Sequence, residues 1–255
     1  MRLALHAWGE EGAPRVVCLH GVTSHGRHFE NLAAALDGFH VLAPDLLGHG
    51  ASLYEPPWDI HAHVDAIVDT VGAKPAMLVG HSFGGRLAFE IAARAPKLVP
   101  RLVLLDPAIL LPPHVALAAA ENARNERAYV SFDEAITRRY DESQLHSAPR
   151  ELLVDELRHH LVLSDDGLYR YRYCQSAVVA AYGEMSSAPP SFEQARVPTL
   201  LVLGEQSYLP YDHLLDAHRE ALGDLLEVAV VPGGHSVLWD ALEETGAVVR
   251  EFLSR

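Results

Sequence analysis

Short apolar runs alternate with helical patterns along most of the chain, and this alternation restricts the folds open to it. Runs at residues 15–19, 40–44, 76–79, 101–105, 199–203 and 226–231 are rich in Val and Leu. Helical periodicity occupies residues 61–71, 83–94, 211–222 and 237–253 between and after them. Parallel strands need a crossover connection, usually a helix, so this rhythm predicts an α/β domain whose mostly parallel sheet is covered on both faces. With 255 residues, 49% of them hydrophobic, the chain can bury such a core.

The rhythm breaks between residues 109 and 190. No convincing strand is found there, only helical stretches at 114–130, 132–140, 149–163 and 171–184. Pro112-Pro113 opens the region and Pro189-Pro190 closes it, as chain breakers do at the ends of an insertion. The expected organisation is a core domain of residues 1–108 and 191–255, with a helical cap of residues 109–190. Its expected place is over the carboxyl ends of the strands, where open α/β sheets bind ligands.

Charge excludes some partners. Asp and Glu number 34 against 20 Lys and Arg, a net charge of −14 that disfavours nucleic acid and anionic membrane surfaces. No apolar run approaches the roughly 20 residues that span a bilayer, and the first residues lack a signal-peptide core. A cytoplasmic protein is the expectation. The two cysteines, Cys18 and Cys174, show neither metal-ligand spacing nor a disulfide pattern, and read as packed apolar side chains. The sequence does not set the oligomeric state.

Gly80-His81-Ser82-Phe83-Gly84-Gly85 follows the apolar run Ala76-Met77-Leu78-Val79 and precedes a helix with Leu87, Ala88, Ile91, Ala92 and Ala95 on one stripe. In that context G-x-S-x-G reads as a tight strand-to-helix turn that lifts a serine hydroxyl above the sheet. A serine hydroxyl is a poor nucleophile at neutral pH until a base takes its proton. Of 16 histidines, His235 in Pro232-Gly233-Gly234-His235-Ser236 lies in a late strand-to-helix loop, and it is the expected base. Donors for a developing oxyanion are expected from the backbone N–H groups of Val22, after Leu19-His20-Gly21, and of Phe83. His20 reads as a structural hydrogen-bonding residue. His25 and His28 could line the entrance.

His20-Gly21, Asp45-Leu46-Leu47-Gly48-His49-Gly50-Ala51-Ser52, the Ser82 turn and the His235 loop occur in the order and spacing of the α/β-hydrolase family, which the chain resembles outside the insertion. The resemblance implies an eight-stranded, mostly parallel sheet with a helical cap, no cofactor or metal, and a serine, acid, histidine order. The segment from Asp45 to Ser52 reads as structural turn chemistry. Family members usually carry the acid in Gly-Glu-x-Asp after the penultimate strand, where this chain has Gly204-Glu205-Gln206-Ser207. Others carry it after the strand that follows the nucleophile helix, which here ends at Asp106. Asp106 is the expected acid, with Glu205, Asp212 and Asp216 as alternatives.

The implied activity is hydrolysis of a small-molecule carboxylic ester through an acyl-enzyme, of carboxylesterase or lipase type. Carbon-carbon bond hydrolysis, lactone hydrolysis, perhydrolysis and small-molecule reception on the same fold stay open. His25, Tyr129, Tyr169, Tyr171 and Tyr173 are the candidate substrate contacts, although tyrosines in such a region can equally pack its helices together.

Overall fold

The computed structural model describes residues 2–255. The chain opens with β1 (Leu5–Trp8) and β2 (Arg15–Leu19), then a 3-10 turn at Gly26–Phe29 and helix α1 (Glu30–Ala35). β3 (His40–Pro44), α2 (Ile60–Val71), β4 (Met77–His81), α3 (Phe83–Arg94) and β5 (Leu102–Leu105) follow. Next come α4 (Pro113–Ala123), β6 (Ala128–Tyr129), α5 (Phe132–Glu142), α6 (Arg150–His160), β7 (Leu161–Leu163), β8 (Tyr169–Tyr171) and α7 (Gln175–Met185). The chain ends with β9 (Thr199–Gly204), α8 (Asp212–Leu222), β10 (Leu226–Val231), α9 (Val237–Asp240) and α10 (Leu242–Leu253).

The main sheet has seven strands in the order β1-β3-β2-β4-β5-β9-β10, parallel except for β1, which pairs antiparallel with β3 at the edge. Among the described residues the sheet therefore has seven strands where eight were expected. From β2 the chain steps outward to β3 and then returns to lay β4 on the other side of β2. That reversal opens a crevice at the carboxyl ends of β2 and β4.

Alternate side chains of each strand enter different cores. Val17, Leu19, Leu78, Leu102 and Leu104 pack with Leu87 and Phe89 of α3 on one face. Val16, Cys18, Val79, Val103 and Leu105 pack with Leu32 of α1 and Phe252 of α10 on the other. Two buried faces explain why these strands read as continuous apolar runs. Burial also pushes the Cys18 thiol pKa up, which suits a packing role.

Residues 109–190 depart from the all-helical expectation. Besides α4 to α7 they contain a small antiparallel sheet ordered β6-β8-β7, with Ala128 opposite Arg170 and Val162 opposite Arg170 on the other side. β7 and β8 form a hairpin whose turn bonds Ser164 N to Leu168 O at 2.9 Å and places Gly167 at φ 82°. The helix expected over 149–163 therefore stops at His160, that over 171–184 starts at Gln175, and that over 114–130 ends at Ala123. The pattern expected over 237–253 is two helices, broken at Ala241 with φ −143°.

Both ends of this region are fixed to the core at one place. Leu111 N donates to Met185 O at 2.8 Å. Arg86 of α3, 1% exposed, donates to Ile109 O at 2.6 Å, Ser187 O at 3.0 Å and Ala188 O at 3.2 Å, while its Nε meets Glu90 at 3.0 Å. Among the described residues, no helix is long and apolar enough to cross a membrane.

Histidines are used as buried neutral groups. Burial lowers the pKa of His49, His81 and His218 to about 4 and of His63 to about 3. It also takes His20, His28 and His160 well below the ordinary value of about 6.5. As pH falls below about 6.5 the unfolded chain takes up protons that the folded chain refuses until near pH 4. Stability should therefore fall steadily from pH 7 to 4.5, by more than the roughly 1.4 kcal/mol per pH unit that one proton gives. Urea unfolding across that range measures it. A flat profile would contradict the buried neutral imidazoles.

Candidate active site

Ser82 stands between β4 and α3 with φ 54° and ψ −119°, a conformation that costs a residue with a side chain about 1–3 kcal/mol. The turn is closed so tightly that a Cβ on Gly80 would lie 2.3 Å from Gly84 O, and one on Gly84 would lie 2.0 Å from Leu19 O. Only glycine fits at either point. The turn is held by Ser82 N donating to Leu105 O at 3.1 Å, and by Ser82 O accepting from Gly85 N at 2.9 Å and Ala108 N at 3.0 Å.

Asp106 begins the loop after β5 with φ 41° and is 2% exposed. Its Oδ2 accepts from His235 Nδ1 at 2.6 Å and from Ser207 Oγ at 2.5 Å, while Oδ1 accepts from Gly204 N at 3.1 Å. The expected alternatives do not compete for this position: Glu205 and Asp212 are exposed, and the Asp216 side chain is 98% exposed. Ser207, where the family's pattern usually has its acid, donates to Asp106.

A bond from Nδ1–H to a carboxylate leaves Nε2 of a neutral His235 as the proton acceptor. The ring is packed against His81 at 4.8 Å and Tyr208 at 5.2 Å, and His81 Nε2 donates to His235 O at 2.9 Å. Asp240 fixes the same loop, accepting from Gly234 N at 2.9 Å and from His146 N and Ser147 N at 2.9 Å each.

Ser82 and His235 share a cavity of about 260 Å³ with Val22, Leu111, Met185, Tyr182 and Trp239. Among the described residues the amides of Val22 and Phe83 donate to no protein acceptor, as oxyanion donors require. The Phe83 side chain is buried against His63 at 5.3 Å. Of the expected substrate contacts, Tyr173 lines the cavity, as does His28.

The remaining expected contacts lie outside that lining. Tyr129 and Tyr171 are 2% and 7% exposed, pack edge to face at 5.7 Å, and form the core of the small sheet with Tyr169 alongside. His25 stacks on His160 at 4.6 Å, with Nε2 3.4 Å from Glu156 Oε1. These side chains are consumed in packing residues 128–171 together and onto the core. His20 is structural as expected: Nδ1 donates to Gly21 O at 2.8 Å and Nε2 accepts from Leu46 N at 2.9 Å. Asp45 is a turn residue, taking Gly26 N at 2.7 Å and Ala51 N at 2.9 Å.

Four residues at the site were not among the expected site residues: His81, Ser207, Trp239 and Asp240. Only the position of His81 inside G-x-S-x-G could have pointed to it. Among the described residues, no three His, Cys, Asp or Glu side chains are grouped to hold a metal ion.

The chain belongs to the alpha/beta hydrolase fold family, whose model matches residues 14–242. Among curated proteins it is similar to Lipase LipV of Mycobacterium tuberculosis, 34% identical over 256 residues, which span 98% of this chain and 97% of that protein. It is also 28% identical to the sn-1-specific diacylglycerol lipase ABHD11 of Mus musculus, over 96% of this chain and 83% of that one. Among solved structures, E-2-(acetamidomethylene)succinate hydrolase superposes with a TM-score of 0.88 at 24% identity, over 99% of this chain and 95% of that one. That last likeness is one of fold.

The strained turn gives a stability prediction. Ser82→Gly relieves the positive φ whereas Ser82→Ala keeps it, so the glycine variant should be more stable than the alanine variant by about 1 kcal/mol. Urea midpoints at pH 7.5 compare the two. A glycine variant less stable than the alanine variant would mean that the turn is relaxed.

Proposed function

We propose that this protein hydrolyses small carboxylic esters through an acyl-enzyme on Ser82. The observation that carries the reading is the 2.6 Å bond from His235 Nδ1 to Asp106, which reserves Nε2 for a proton in the cavity that Ser82 lines. Ser82 Oγ attacks the ester carbonyl carbon as His235 Nε2 takes its proton, and the carbonyl oxygen becomes an oxyanion facing the amides of Val22 and Phe83. Collapse expels the alkoxide, which leaves as the alcohol with the proton from His235. Water then attacks the acyl carbon, His235 takes the water's proton, and the acid departs as that proton returns to Ser82. Asp106 fixes the tautomer and stabilises the imidazolium in both halves.

Residues 109–190 serve in this reading as a cap over a core of residues 1–108 and 191–255. Leu111, Val115, Val178 and Met185 from the cap form the apolar wall of the cavity. At about 260 Å³ it lies below the roughly 300–1,000 Å³ of pockets for drug-sized ligands, so short acyl groups fit best. Two unpaired cysteines and no disulfide suit a cytoplasmic location.

The test is turnover of p-nitrophenyl esters of graded acyl length. Butyrate should be cleaved faster than palmitate, and Ser82→Ala should lose nearly all activity while still folding. Asp106→Asn should cost on the order of 10⁴ in kcat, whereas Glu205→Gln and Asp212→Asn should stay within about tenfold. Ser207→Ala should fall between them, at about thirtyfold, for one lost hydrogen bond to a charged acceptor worth about 2 kcal/mol. An Asp106→Asn enzyme near wild type would remove Asp106 from the mechanism. Saturable ester binding without turnover would favour a receptor.

A further inference from the structure

Two arginines of this fold have side chains almost wholly withdrawn from water, and they are treated in opposite ways. Arg86 spends its guanidinium on Glu90 and on main-chain and hydroxyl oxygens at both ends of residues 109–190. Arg139 of α5 is 3% exposed, yet among the described residues its Nε and Nη1 have no hydrogen-bond partner and no carboxylate lies within ion-pair distance of it. Its guanidinium lies over the rings of Tyr171, at 5.1 Å, and Trp239, at 4.9 Å. Cation–π contact stabilises the charge but gives no acceptor to the N–H groups, which lie in the guanidinium plane.

Those N–H groups belong to a side chain that lines the cavity containing Ser82. The acid on the same wall, Glu142, is engaged elsewhere: it accepts from Tyr129 Oη at 2.6 Å and lies 3.7 Å from both Arg127 and Arg138. Glu156 lies 3.4 Å from His25 Nε2 with neither carboxylate oxygen hydrogen-bonded, and its charge reaches Arg139 from beyond ion-pair distance. Beside Arg139, His28 stands edge to face on Trp239 at 4.8 Å, with both ring nitrogens buried and unpartnered. Burial raises the cost of the guanidinium charge, but Tyr171 and Glu156 oppose this and the group stays protonated. The charge is thus partly compensated, but buried N–H donors left without acceptors still cost free energy, and an anion in the cavity would supply those acceptors.

We propose that Arg139 and His28 form a carboxylate subsite, and that the preferred substrate is an ester carrying a second, free carboxylate, such as a monoester of a short dicarboxylic acid. The planar guanidinium fork offers two parallel N–H groups, the geometry that a carboxylate accepts in a bidentate pair. His28, neutral because burial and its neighbour His81 hold its pKa far down, supplies a further N–H from the same wall. In a chain of net charge −14, a cavity lined by Arg127 and Arg139, the latter with free N–H groups, is where an anionic ester would be drawn.

The inference rests on the ester hydrolase reading, and the experiment separates the two. The p-nitrophenyl monoester of glutaric acid and p-nitrophenyl butyrate are compared on the wild-type protein and on Arg139→Met and Arg139→Lys. The wild type should prefer the monoester by at least tenfold in kcat/KM. Arg139→Met should reduce that ratio by about a hundredfold, chiefly through KM, and Arg139→Lys should restore part of it. Glutarate should inhibit butyrate hydrolysis competitively. A wild type that cleaves butyrate as well as the monoester and ignores glutarate overturns the subsite while leaving the hydrolase reading standing. Should neither ester turn over, the hydrolase reading fails, and calorimetric titration of the wild-type protein with glutarate still decides the subsite. Should the variants not fold, the wild-type ratio and the glutarate titration decide it.

Discussion

The carboxylate of Asp106 ties together the ends of three neighbouring strands. It leaves β5, accepts the amide that ends β9 and the Ser207 hydroxyl just beyond it, and receives the imidazole from the loop after β10. These groups lie between 98 and 129 residues apart in the chain, and only the order β5-β9-β10 brings them together. A buried carboxylate held by so many donors is immobile, and a fixed acceptor is what an imidazole needs from its partner.

The second constraint is the attachment of residues 109–190. Arg86 gathers Ile109, Ser187 and Ala188 at one point of α3, a few residues from Ser82 in the same helix turn sequence. Asp240 joins the His235 loop to His146 and Ser147 at the far end. Charged groups thus fix both sides of the cavity, while Leu111, Val115 and Met185 give it an apolar wall. Against that economy of paired charges, the unpaired Arg139 is an exception inside the cavity.

Much of the scaffold was legible because its signals are local. Strands buried on both faces read as apolar runs, and α3 begins and ends where the 83–94 pattern does. The flanking strand and helix single out Ser82 and His235, which the fold brings to one cavity, and the end of a strand run singles out Asp106, which bonds His235. The small sheet was missed because two- and three-residue strands carry no period, although Asp166-Gly167 was a hairpin signal. β1 was missed because an edge strand with half-exposed side chains is only weakly apolar. The tyrosines were assigned to the substrate on type alone, and three of the four instead pack the small sheet. Ser207, Asp240 and Arg139 have no local signature, since their meaning lies in partners, or the lack of them, set by the tertiary fold.

The most direct measurement of the central claim is peptide mapping by mass spectrometry after reaction with a fluorophosphonate, which captures a serine only when a neighbouring base has activated it. Ser82 should be modified stoichiometrically in the wild-type protein, and the modification should be lost in His235→Ala. Unmodified Ser82, modification of a different serine, or equal labelling with and without His235 would each contradict a nucleophile activated by His235.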